Sequence, residues 1–171
     1  MKFMFFKIFK TSFGYAGVIF DKDKIYKFVL PLKDKKTVKR LLKNDNYKLK
    51  PKFFNIPKWL KNFMKDVKNY FDGKEVDFSK YDIDLNNYTS KEQKILKKLR
   101  ELKFGEIITY KKLSEICRIK DGSRFVGNTV AKNKTPLLIP CHRVIKSNKK
   151  IGNFSFGKEY KLKLLLLEKN S

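Results

Sequence analysis

Apolar and polar positions change their rhythm twice along this chain. Residues 3–9, 15–20 and 25–30 are short runs of aromatic and β-branched side chains. Ser12-Phe13-Gly14 and Asp21-Lys22-Asp23 separate them with turn-forming residues, a spacing that predicts an antiparallel meander. The period then lengthens. A short helix is predicted over residues 36–43 and a stronger one over residues 57–71, where Trp59, Leu60, Phe63, Met64, Val67, Tyr70 and Phe71 recur every three or four positions. Pro57 suits a first helical turn and Gly73 a stop. Residues 74–85 read as extended and then loop-like, with Asp77, Asp82 and Asp84 as a solvated linker.

From there the pattern is mainly helical. Thr89 or Ser90 can cap a helix to about residue 103, with Glu92 in its first turn and Ile95, Leu96, Leu99 and Leu102 as its buried stripe. Phe104-Gly105 stops it. Residues 106–110 are extended, and residues 111–118 form a second helix that places Leu113, Ile116 and Cys117 inward. Ile119-Lys120-Asp121-Gly122 makes a turn, Ser123 caps a third helix over residues 124–132, and the trio is a helix-turn-helix pattern. A last helix spans residues 158–169, with Tyr160, Leu164 and Glu168 on one face. The predicted fold class is α+β. Residues 1–85 form a small antiparallel sheet with helices that braces the remainder, and residues 86–171 form a mainly helical domain that carries the chemistry.

Lys and Arg number 42 against 17 Asp and Glu, a formal net charge of +25. Such an excess attracts polyanions. The lysines are spread over the chain rather than clustered, and the abundance of Lys, Asn, Ile and Phe also fits AT-rich coding. Two cysteines and one histidine are too few for a four-ligand Cys/His zinc site, so no structural metal is expected. Both thiols are expected reduced, in a cytoplasm. No apolar stretch is long enough to span a membrane. The apolar start is interrupted by Lys7 and Lys10 and lacks a small-residue cleavage site, so it reads as a strand rather than a signal peptide.

The candidate chemistry lies in Ile139-Pro140-Cys141-His142-Arg143-Val144-Ile145. The single histidine directly follows one of the two cysteines, and a thiol near neutral pH needs a partner to lower its pKa or take its proton. Pro140 stiffens the approach, and the apolar residues on either side anchor the loop. A buried cysteine beside a surface histidine is the structural alternative. The longer string Pro-Cys-His-Arg-Val resembles the active-site signature of the O6-alkylguanine-DNA alkyltransferases, the methylated-DNA–protein-cysteine methyltransferases. Asn133, Pro136, Arg124, Tyr110 and Glu168 match the same pattern in order, and the resemblance covers about residues 89–169.

The resemblance implies a repair protein that flips an O6-alkylguanine, and by extension O4-alkylthymine, out of duplex DNA and takes its alkyl group irreversibly. Cys141 would be the nucleophile, His142 its base, Glu168 the group orienting His142, Asn133 a hinge and Tyr110 a proton donor to the base. Arg124 would fill the vacated stack. Ser123, Gly127, Lys111, Ser147 and Tyr110 would lie against DNA, while Val144, Phe154, Ser155 and Pro136 would form the base pocket. No cofactor is implied, and a monomer is expected. Phe125 and Asn128 are bulkier than the family's usual residues, Lys134 replaces a proline, and Phe154 replaces a tyrosine. A binding-only homologue, a Cys-His-Glu hydrolase and a helix-turn-helix regulator are the alternatives.

Overall fold

The computed structural model describes residues 4–45, 47–50 and 55–171. Phe3, the first residue of the first predicted strand, lies outside them. The chain divides into two compact units, one ending at Asp84 and one spanning Leu85–Ser171.

In the first unit, β1 (Met4–Thr11), β2 (Gly14–Phe20) and β3 (Ile25–Leu32) form the antiparallel meander. The sheet order is β3-β2-β1-β4, where β4 (Leu49–Lys50) is a two-residue strand parallel to β1 that the sequence pattern did not reveal. Helix α1 (Lys35–Lys43) starts one residue earlier than expected because Asp34 caps it, accepting from the Lys36 and Thr37 backbone N–H groups. Val38 and Leu42 point inward from α1 onto the sheet. They sit over Gly17, where an added Cβ would lie 2.7 Å from both Leu42 Cδ1 and Val38 Cγ1. Gly17→Ala is therefore expected to lower stability by about 1–3 kcal/mol, the usual cost of overpacking a filled core; a urea unfolding midpoint measures it.

Helix α2 (Lys58–Phe71) buries Leu60, Phe63, Val67, Tyr70 and Phe71 as its pattern required. Met64 is only half-buried, and Trp59 lies at the margin, donating from Nε1 to the Lys22 carbonyl at 2.7 Å. The stretch after α2 is more than a linker. Phe78, Tyr81 and Ile83 are buried, and residues 82–84 run beside the start of β3 through Ile25 N–H to Asp82 O and Asp84 N–H to Ile25 O, both 2.9 Å. Apolar residues spaced at two and three positions pull this segment onto the sheet.

In the second unit, α3 (Ser90–Arg100) is shorter than predicted and is held by a reciprocal capping box between Thr89 and Glu92. Glu92 also accepts from Lys132 Nζ at 2.6 Å, and these donors hold its carboxyl below the ordinary range despite burial. Next come β5 (Ile108–Thr109), α4 (Tyr110–Ile116), α5 (Ser123–Ala131), a single 3-10 turn at Cys141–Arg143, β6 (Val144–Ile145) and α6 (Lys158–Lys169). β5 and β6 pair in parallel, Ile108 with Val144 and Thr109 with Ile145. That pairing fixes the strand leaving the Cys-His-Arg turn beside the strand leading into α4.

Candidate active site

Thr109 caps α4, accepting from the Lys112 N–H at 3.0 Å, so the helix begins at Tyr110 rather than Lys111. It ends at Ile116, and six residues rather than four connect it to α5, with Arg118 and Asp121 both in the left-handed region at φ 56° and 48°. Gly122, not Ser123, precedes the first residue of α5. A Cβ at Gly122 would lie 2.4 Å from Ile119 Cγ2, so the turn closes only with glycine there. Ser123 is instead the first helical residue. Val126, Thr129 and Val130 are buried on α5, and Arg124, Phe125 and Asn128 are not.

A groove of about 880 Å³ runs along this surface. Tyr110, Lys111, Ser123, Arg124, Gly127 and Ser147 line it, as do Phe154 and Ser155. The elements that bring them together are α4, α5, the turn after β6 and the loop before α6. Asn128, Lys146 and Asn153 join the lining without having been singled out from sequence as DNA contacts. Pro136 and Val144 are buried and do not line it; Pro136 forms an isolated bridge with Ile139.

Asn133 ties the end of α5 to the cysteine loop. Its Nδ2 donates to the Ile139 carbonyl at 2.9 Å and its Oδ1 accepts from the Thr135 N–H at 3.0 Å. Leu137 takes a left-handed conformation at φ 70°, and the chain then turns so that Cys141 opens the 3-10 turn. Cys141 is 4% exposed. Burial pushes its thiol up to about 11, against the lowering pull of Asn133, of Lys161 and of the backbone N–H groups of Cys141 and His142. The resting sulfur is therefore protonated at neutral pH. Carboxamidomethylation of Cys141 should accelerate about tenfold per pH unit up to about pH 11, since the thiolate is the nucleophile; peptide mass spectrometry reads it separately from Cys117.

His142 Nε2 lies 2.6 Å from Glu168 Oε1, both side chains buried. Burial lowers the imidazole pKa more than Glu168 raises it, so the ring is neutral near pH 7, with Nε2–H donating to the carboxylate. Arg143 also turns inward. Its Nε donates to Glu168 Oε2 at 2.9 Å, its Nη2 to Oε1 at 3.0 Å and its Nη1 to the Leu102 carbonyl at 2.6 Å. The Gly105 N–H adds a further bond to Glu168 Oε2 at 3.0 Å. Burial alone would raise the Glu168 carboxyl; His142 and Arg143 outweigh it and hold it down at about 2. A glutamate in the last turn of a helix is disfavoured by the helix dipole, and here that cost is offset by four donors.

Lys161 is the residue that sequence reasoning missed. It is fully buried on the inner face of α6, and its Nζ donates to the Val144 carbonyl and lies 5.8 Å from the Tyr110 ring centroid. Burial lowers its pKa to about 8, and the neighbouring Cys141 pulls the other way. The Tyr110 ring sits between two glycines, with a Cβ at Gly152 falling 3.3 Å from its hydroxyl and one at Gly127 falling 3.9 Å from Cε1. Burial raises the Tyr110 hydroxyl pKa and Cys141 adds to the rise, so it remains a proton donor. Phe154, Phe156 and Tyr160 continue from the loop into α6 as an aromatic series, with ring centroids 6.0 and 5.9 Å apart. Cys117 is a core residue and forms no disulfide with Cys141. Among the described residues no three His, Cys, Asp or Glu side chains gather as a metal site, and no helix is long and apolar enough to cross a membrane.

Residues 90–170 match the family described as 6-O-methylguanine DNA methyltransferase, DNA binding domain. The methylated-DNA–protein-cysteine methyltransferase of Metallosphaera sedula is 43% identical over 104 residues, 61% of this chain and 64% of that protein. The one from Methanopyrus kandleri is 32% identical over 109 residues, 64% of this chain and 80% of that protein. The chain thus matches less than two thirds of the length of the Metallosphaera relative. Among solved structures, Mycobacterium tuberculosis OGT in complex with DNA aligns with a TM-score of 0.78 at 21% identity, over 97% of this chain and 93% of that one. The O6-methylguanine-DNA methyltransferase of Pyrococcus kodakaraensis aligns at 0.72 and 23%, over 96% and 98%. At these identities the structural likeness is one of fold.

Proposed function

This chain belongs to the methylated-DNA–protein-cysteine methyltransferase family, and from that premise we propose that it repairs O6-alkylguanine in duplex DNA by moving the alkyl group onto Cys141. The observation that carries the proposal is the buried His142–Glu168 pair, 2.6 Å across, directly following a buried cysteine in the chain. With Nε2 engaged by Glu168, Nδ1 is the nitrogen that takes the thiol proton, through a bridging water. Lys161 supplies positive charge beside the sulfur as it ionises. The thiolate attacks the alkyl carbon in line; the S–C bond forms as the C–O6 bond breaks. Guanine is a poor leaving anion, so Tyr110 donates a proton to the base as the bond breaks.

The groove supplies the DNA side. Lys111, Ser123 and Ser147 contact the backbone, Gly127 leaves room for close approach, and Arg124 holds the gap when the base is rotated out. Phe154 stacks on the extruded base, the Ser155 amide and the backbone of Cys141 and Val144 read its edge, and Pro136 backs the loop. Asn133 holds the cysteine loop against α5. Residues 86–171 carry this chemistry. The protein acts as a monomer in the cytoplasm, without a cofactor. The product is a thioether, which water does not readily cleave, so each molecule reacts once.

Incubation with a duplex containing one O6-methylguanine tests the proposal. One methyl per protein should appear on the Cys141 peptide, and product should stop at one equivalent. Repeated turnover, or methyl on another residue, would overturn it.

A further inference from the structure

In the first unit, α2 presents a lysine rail beside a polar cleft. Lys58, Lys61, Lys65 and Lys68 are all exposed and recur at i, i+3, i+7 and i+10. They form one row about 15 Å long, given the rise of an α-helix. The next row of the same helix holds Trp59, Asn62, Asp66 and Asn69, at the same intervals. These four line a cleft of about 430 Å³ that Lys80 and Tyr81 close from the following segment.

The groups in the cleft are arranged for a ligand with a flat face and a polar edge. The indole of Trp59 is held by its bond to the Lys22 carbonyl and by an edge contact with Phe20 at 6.2 Å, yet it is only half-buried. The side-chain amides of Asn62 and Asn69 make no hydrogen bond to another described residue. Asp66, the one acid in the row, is paired with Lys80 Nζ at 2.7 Å and accepts from the Tyr81 hydroxyl at 2.6 Å. Among the described residues, no other acid lines the cleft.

We propose that this face of α2 binds single-stranded nucleic acid, one base against Trp59 in the cleft and the adjoining phosphates along the lysine rail. Aromatic platforms flanked by cations are how strands are held without sequence readout. A duplex keeps its base faces stacked on one another, so it can use the rail but not the cleft. The site draws on no residue of the alkyl-transfer chemistry.

Trp59 is the sole tryptophan, so its fluorescence reports the cleft directly. The intact protein is titrated with an undamaged single-stranded oligodeoxynucleotide of about 8 nucleotides, within the span one small domain covers. Saturable quenching by half or more is expected. The Lys61→Glu/Lys65→Glu variant should bind about tenfold more weakly, and its dependence of log affinity on log salt should flatten by about 1.4, as two lost phosphate contacts require. Asn62→Ala should weaken binding with the salt slope unchanged. Methyl uptake by both variants should equal that of the parent, which also shows that they fold. Absence of quenching, equal quenching by a duplex of the same length, or quenching that survives the double charge reversal would overturn the assignment.

Discussion

Cys141→Ala should reduce methyl uptake from O6-methylguanine by about 10⁴-fold or more, the scale on which removal of a covalent nucleophile acts. Binding of the same duplex should stay near that of the parent. The two readouts separate because the groove residues that would meet DNA, among them Arg124 and Lys111, do not include the sulfur. Alanine fits the space a buried cysteine occupies, so the fold is retained. A variant that still took up the methyl group would move the nucleophile elsewhere, and Cys117, the other thiol, is 3% exposed and raised in pKa by its burial.

Glu168→Gln should act on both rate and stability. It leaves the Arg143 guanidinium buried without its carboxylate, and breaking a buried pair from one side costs about 3–5 kcal/mol. It also removes the charge that steadies an imidazolium at His142, so alkyl transfer should slow by about 10²-fold or more. The acid limb of stability gives a second check. A carboxyl held at about 2 when folded and near 4.5 when unfolded contributes its full stabilisation above about pH 4.5. That contribution is lost as pH falls through the interval toward pH 2. The parent should lose stability across the interval, and the glutamine variant, weaker at neutral pH, should lose less. Urea midpoints at several pH values measure the difference.

Elements with a repeated apolar period were legible in the sequence. The meander follows from short aromatic and β-branched runs set between turn residues, α2 and α6 from side chains recurring every third and fourth position, and α6 spans the predicted residues from Lys158 to Lys169. β4 was not legible, because two residues carry no period. The ends of α3 and α4 moved because caps and left-handed residues, not hydrophobicity, stop a helix; Arg118 and Asp121 occupy that region without being glycine. The site divides the same way. Cys141 and His142 stood out by their rarity and adjacency, and Glu168 entered only through family resemblance. Lys161 was passed over because in a chain with 42 basic residues one more reads as solvated surface, and Arg143 stood in the Pro-Cys-His-Arg-Val string without a role assigned to it. Only the fold reveals that these two turn inward, each toward an acceptor that no local pattern announces.

If Cys141 takes the alkyl group as proposed, it has to house an added carbon at a buried position. The residue is only 4% exposed in the resting protein, so an added carbon meets protein atoms rather than solvent. A carbon kept there permanently must shoulder them aside, and inserting a methyl into a filled interior costs about 1–3 kcal/mol. On the proposed chemistry the spent molecule is then expected to unfold more easily than the fresh one, which a urea midpoint before and after alkylation measures.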